Sequence, residues 1–258
     1  VNIVTQAPEV DGPALQTNKI EAHADFVPFA ELFPYRGYAR KIFDGSQANA
    51  PPLHGSLVDT DYAKKYPEIV TAYLRAAIEA DRLFAAEPEK YSELIAKVTG
   101  IEAEVNYLFH GPLGLQTRDF TFKPEYLQAI NTSIDTLRLM KRTETDLDVN
   151  TFINDQYIRA AFKQAGQDYD GHLKNYARSP LKTKDARTGK AITDVKRVAQ
   201  IWVQGEPLVR HYASPESALT DLAALEKSGK KIRVVYAQDR NSGNKLLAGD
   251  AWFVKNNG

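Results

Sequence analysis
Short apolar runs alternate with short helix-like stretches along the first forty residues. The pattern predicts strands at Asn2–Val4, Ala22–Val27 and Ala39–Phe43, with helices at Pro13–Asn18 and Phe29–Tyr35 between them. Alternation of this kind predicts an α/β arrangement, a parallel sheet covered by helices. "DGSQANAPP" at 44–52 is a loop rich in Gly, Pro, Asn and Ser. "LHGSLVDTDYAKKYP" follows with one more short strand and then a helix start.

The period then lengthens. In "PEIVTAYLRAAIEADRLFAAEP" apolar residues fall at Ile69, Val70, Tyr73, Leu74, Ala77, Ile78 and Phe84, the stripe of an amphipathic helix. Pro67 suits its first turn and Pro88 lies just past its end. "KYSELIAKVTG" predicts a helix stopped by Gly100. In "PEYLQAINTSIDTLRLMK", Leu127, Ile130, Ile134 and Leu137 share one face behind Pro124. "DVNTFINDQYIRAAFKQAG" predicts one further helix, with Asp148 as N-cap and Gly166 as its stop.

Beyond residue 175 the pattern breaks again. "NYARSPLKTKDARTGKA" has few large apolar residues and reads as a linker or an extended strap, with its centre at 178–191. Residues 192–258 then predict a ββαββ unit. Two strand-like runs surround a Gly-Glu-Pro turn. A helix follows, capped by Ser214, started by Pro215, stopped by Gly229, and burying Leu219, Leu222 and Leu225. A hairpin closes over Asn-Ser-Gly-Asn. At about 70 residues such a unit would be a small α+β domain of its own.

Composition narrows the function classes. The chain has 258 residues, 43% of them hydrophobic and 26% charged, as in ordinary globular proteins. Thirty-three basic residues balance 33 acidic ones, so net charge makes no case for a nucleic-acid partner, which would need a basic face. No apolar run approaches the roughly 18 residues of a membrane span. With no cysteine, disulfides, thiolate nucleophiles and thiolate metal sites are excluded. The chain opens "VNIVTQAPEV", without Met or a signal-peptide pattern, and is read as a processed, cleaved or truncated chain.

The candidate chemistry starts at "IEAHADFVPFAELF", residues 20–33. His23 and Asp25 are two apart, so in a strand they face the same side, and a titratable pair in an apolar run needs a partner or a ligand. Phe26, Phe29 and Tyr35 are candidates for an aromatic wall beside them, with core packing the simpler expectation for Phe29 and Phe33. "NYLFHGPLGLQTRDF" reads as an aromatic, glycine-rich loop carrying His110 and Arg118, and Arg118 is a candidate anion clamp. His172 and His211 have no near neighbour at ligand spacing, so no metal is assigned.

The order of segments over 1–177 resembles a known family. The matching stretches are "ALQTNKIEAHADFVPF", "GYARKIFDG", "LVDTDYAKKYPEIVTAYLRAAIEADRLFAAEPEKYSELIAKVTGIEAEV", "FKPEYLQAINTSIDTLRLM" and "DVNTFINDQYIRAAF". Together they resemble the later part of a periplasmic substrate-binding protein of the nitrate, sulfonate and taurine type, the NMT1/THI5-like group. The resemblance implies two type II-like α/β lobes closing on a small molecule. Residues 1–55 would be the end of the second lobe, and 56–177 a mainly helical return to the first. The family's usual N-terminal stretch has no counterpart here, so a separate chain or a cleaved N-terminal segment would complete the first lobe. His23 and Asp25 then end a strand at the ligand cleft, and His54 and Ser56 lie in the crossover between lobes. The tail, "YASPESALTDLAAL … IRVVYAQDRNSG … GDAWFV", is similar to NosL-like accessory lipoproteins, without their copper-binding Cys and Met motif.

The expected function is therefore capture of a nitrate-, sulfonate-, taurine- or pyrimidine-like solute for an ABC importer. The chain would work in the periplasm or outside the cell, anchored or free, handing its ligand to permease subunits. None of G-x-S-x-G, the phosphate loop, H-E-x-x-H or G-x-G-x-x-G occurs, so no enzyme and no cofactor is expected. The alternatives are a Cys-free enzyme on the same fold, with His23 or His54 as general base, and a structural or partner-binding protein.

Overall fold
The computed structural model describes residues 2–45, 53–116, 119–143, 147–175 and 181–254. The chain is mixed α/β, about half helical, with one small antiparallel sheet. In chain order the helices are α1 (Pro8–Gln16), α2 (Phe29–Tyr35), α3 (Thr60–Lys65), α4 (Pro67–Ala86), α5 (Pro88–Thr99), α6 (Ala103–His110), α7 (Pro124–Leu139), α8 (Val149–Phe152), α9 (Gln156–Gln164) and α10 (Tyr169–Asn175). Then come β1 (Ala199–Val203), β2 (Arg210–Tyr212), α11 (Pro215–Lys227), β3 (Ile232–Gln238) and β4 (Lys245–Leu247). Among the described residues no helix is long and apolar enough to cross a membrane.

The strands expected at Asn2–Val4, Ala22–Val27, Ala39–Phe43 and near 53–58 are not formed, and neither is the parallel sheet they were to build. These segments are irregular, and Ile3, Val4, Ile42, Phe43 and Leu57 are exposed. A strand exists only where a neighbour takes its backbone groups, and no described segment pairs with these. The helix stops fare better. Gly100, Gly166 and Gly229 all take the left-handed conformation that ends a helix without a Cβ penalty. The helix expected over 148–166 is broken into α8 and α9. Asp148 caps the first by accepting from Asn150 N at 2.9 Å, and Asn154 starts the second by accepting from Gln156 N at 3.1 Å. The Asn154 side chain, bonding the backbone two residues on, lets a second helix begin inside one periodic run.

The chain folds as two compact units. The first contains 1–42, 84–117 and 178–258; the second contains 43–83 and 118–177. In the first, the sheet runs β2-β1-β3-β4, antiparallel throughout. All five residues of β1 are buried, so both faces are covered. Ala199, Ile201 and Val203 pack with Ala218 and Leu225 of α11. Trp202, with Val234 and Tyr236 of β3, packs on the opposite face against Ala103, Tyr107 and Leu108 of α6. The ββαββ order expected from sequence is thus present, but residues 192–258 do not close a core of their own. One face of their sheet is covered by α6, a helix buried along nearly its whole length. Residues 106–110, expected in a loop, are the last turns of that helix. On α11, Leu225 is buried and Leu222 half-buried, while Leu219 stays exposed.

The expected linker is an anchored strap where it is described. Lys184 and Ala191 pair across a turn, and Ala186 N donates to His211 O at 2.8 Å. Leu181 and Ile192 pack with Val198 beneath it. In the second unit Ile78 of α4, Ile158, Ala161 and Phe162 of α9, and Tyr169 of α10 form the core.

A candidate ligand site at Asp11, His23 and Asp25
The site is assembled by two helices and the irregular segment between them. Pro8 sets the start of α1, and Asp11 sits in the first turn, where the helix dipole favours a carboxylate. Its neighbour Gly12 lies against the Phe33 ring of α2, where an added Cβ would stand 2.8 Å from the ring edge. That close approach brings α1 to α2 and holds Asp11 over the segment from 19 to 28. Phe33 is 4% exposed and meets the His23 ring at 5.2 Å between centroids.

The three polar side chains converge there. His23 Nδ1 lies 3.0 Å from Asp11 Oδ2, and His23 Nε2 lies 3.5 Å from Asp25 Oδ2. The side chains are 10%, 9% and 7% exposed for Asp11, His23 and Asp25, so water reaches them poorly. Gln6 Nε2 donates to Asp11 Oδ1, and Phe26 N donates to Asp25 Oδ1 at 2.7 Å. Among the described residues, His23 Nε2 and Asp25 Oδ2 have no hydrogen-bond partner. A buried polar atom left unmatched costs of order 1–3 kcal/mol. Two of them facing each other mark a place where something polar or cationic would be stabilised.

The structure brings His23 and Asp25 together on an irregular segment rather than on the strand their spacing assumed, and adds Asp11. Asp11 was missed because it is remote from the pair in sequence. Its only signal was an acidic residue in the first turn after a proline. Phe29 and Phe33 join the core beside the site. Phe26 touches Phe29 edge-on at 6.3 Å but is 55% exposed, so it is a rim rather than a wall. Tyr35 packs against the α6 core, its hydroxyl pushed up to about 12 by burial and then by Glu104 and Glu102. His54 and Ser56 are exposed in an irregular segment of the second unit. Arg118 lies outside the described residues.

Three further polar features were not anticipated. Lys245 is fully buried; its ammonium donates to Pro112 O at 3.0 Å and Tyr107 O at 3.3 Å, and stands over the rings of Tyr107 and Tyr236 at 4.2 and 4.8 Å. Burial draws it well below the ordinary lysine range, with Glu89 opposing. Asp185, 1% exposed, accepts from Arg187 N, Thr188 N, Thr188 Oγ1, Ser217 Oγ and Ala213 N at 2.8–3.1 Å. In the second unit a cleft of about 310 Å³ is lined by Phe122, Leu127, Val149, Asp155, Arg159 and Tyr169, among others. There Arg159 lies 4.2 Å over the Tyr169 ring and bonds Asp155 at 2.6 Å and Asp170 at 2.9 Å. A guanidinium held on both sides by carboxylates has little charge left for an anion. No family model, no curated protein and no solved structure matches the chain.

Proposed function
We propose that this chain is a solute-binding component of an ABC-type importer. It captures a small molecule of the nitrate, sulfonate, taurine or pyrimidine class outside the cytoplasmic membrane and presents it to permease subunits. The observation that carries the reading is His23 and Asp25. The resemblance assigns these two residues to its ligand cleft, and what supports the reading is that they converge with Asp11 while keeping two buried polar atoms unmatched. Binding of this kind works by shifting an equilibrium between open and closed forms. A thermal-shift panel of nitrate, sulfonates, taurine and pyrimidines tests it. A melting temperature raised by one class, and not raised in His23→Ala, is expected; a flat response across the panel overturns it.

A second reading has one observation in its favour. Asp11 at 3.0 Å from His23 Nδ1 is the arrangement that orients an imidazole as a general base. Turnover of a panel compound that disappears in His23→Ala, with the fold intact by circular dichroism, would favour a Cys-free enzyme instead.

A further inference from the structure
We propose that the site holds a divalent transition-metal ion, ligated by His23 Nε2 and Asp25 Oδ2 and oriented by Asp11. The proposal deepens the reading above and rests on it only in treating these residues as a ligand site.

The argument starts from the imidazole. A carboxylate oxygen 3.0 Å from Nδ1 requires a proton on that nitrogen. In the neutral ring the lone pair is then on Nε2, and it faces Asp25 Oδ2 at 3.5 Å. Neither atom has another partner among the described residues, and both are shielded from water. Two lone pairs directed at each other in a dry place repel unless a proton or a metal ion lies between them, and 3.5 Å is longer than the roughly 2.7–2.9 Å of a charge-assisted hydrogen bond.

The distance agrees with a metal. Two ligands about 2.1 Å from a tetrahedral zinc stand roughly 3.4 Å apart. Asp11 on the far ring nitrogen completes a carboxylate–histidine–metal relay, which sets the tautomer and raises the basicity of the ligating nitrogen. One ligand atom from each of Asp11, His23 and Asp25 falls within 4.8 Å of the others. The mixed nitrogen and carboxylate donor set suits zinc, manganese or ferrous iron rather than calcium or magnesium, which prefer all-oxygen sites. The remaining coordination positions would be left to water or to an oxygen of the solute. Sequence spacing could not show the site, because the carboxylate that orients the imidazole comes from α1, remote from the pair in the chain.

Isothermal titration of the EDTA-treated full chain with ZnCl2 and MnCl2 tests the proposal. One site per chain is expected. It should weaken at least about 100-fold in Asp25→Asn and in His23→Phe, which keeps a ring against Phe33 but removes the ligand nitrogen. Asp11→Asn should weaken it about 10- to 100-fold, and His172→Ala should leave it unchanged. Circular dichroism checks that each variant is folded. Unchanged affinity in folded His23→Phe or Asp25→Asn, or no wild-type binding tighter than about millimolar, overturns it. Running the solute panel with EDTA present separates the two proposals. Solute binding without metal binding overturns this one alone, and metal binding without solute binding overturns the importer reading alone.

Discussion
Asp185 and Asp25 are both carboxylates held away from water, and their surroundings are opposite. Asp185 takes five donors from the strap, the segment after β2 and α11, four on Oδ1 and one on Oδ2, so neither oxygen is left without a partner. Burial alone would raise its pKa; the bonds from Ala213 N, Thr188 N, Ser217 Oγ and Thr188 Oγ1 outweigh burial and hold it at about 2. Asp25 accepts one backbone bond through Oδ1 and has nothing on Oδ2. A saturated carboxylate ties three segments of chain together. An unsaturated one beside an equally unmatched imidazole nitrogen stabilises nothing until a ligand arrives. Burial thus does not tell a structural acid from a binding acid; the count of donors does.

The comparison can be broken most directly at Asp185. Asp185→Ala leaves several buried donors without an acceptor and should cost about 3 kcal/mol or more in urea unfolding. If Asp25→Ala costs as much, the distinction fails. Gly12→Val comes next. It pushes the Phe33 ring and should cost about 1–3 kcal/mol by overpacking, while weakening zinc affinity by moving Asp11 away from His23. Unaltered affinity would show that the α1–α2 approach does not build the site.

Acid sharpens the contrast. The folded-state pKa of Asp185 lies below its unfolded one. Its stabilisation is therefore complete above about pH 4 and fades as pH falls toward 2. His211 is drawn down to about 4 by burial and then by Lys245, so it stays neutral in the fold. Unfolded, it takes a proton near pH 6.5, and stability is expected to decline from there toward pH 4. Melting temperatures across that window, in wild type and His211→Gln, measure it; identical profiles would sink the assignment. The smallest effect is expected at Asp25→Asn. Removing an unmatched charge there should shift stability by less than about 1 kcal/mol, and circular dichroism melts should barely move while ligand binding is lost.

Local signals carried much of this fold. Pro8, Pro67, Pro88, Pro124 and Pro215 stand at or near helix starts, and Gly100, Gly166 and Gly229 end helices in the left-handed conformation. Ser214 caps α11 by accepting from Ser217 N at 3.3 Å. These are one-residue decisions, made by φ restriction or by one hydrogen bond, so neighbours in sequence suffice to read them. The strand-like runs before residue 59 were misleading for the complementary reason. Apolar alternation states what a segment would do given a partner, and the partner is a tertiary fact.

The candidate site divides along the same line. Spacing alone placed His23 and Asp25 on one side of an extended segment. That Asp11 meets them, that Phe33 backs the imidazole, and that Gly12 permits the approach depend on α1 and α2 meeting. In the same way, the strand-like run of β1 was written in the chain, but α6 covering its second face was not. Periodicity, caps and composition act through bonds between neighbours in sequence, and the sequence by itself determined them. Which buried polar atoms find partners, and which are left to a ligand, depends on groups far apart in the chain, and only the tertiary structure decided it.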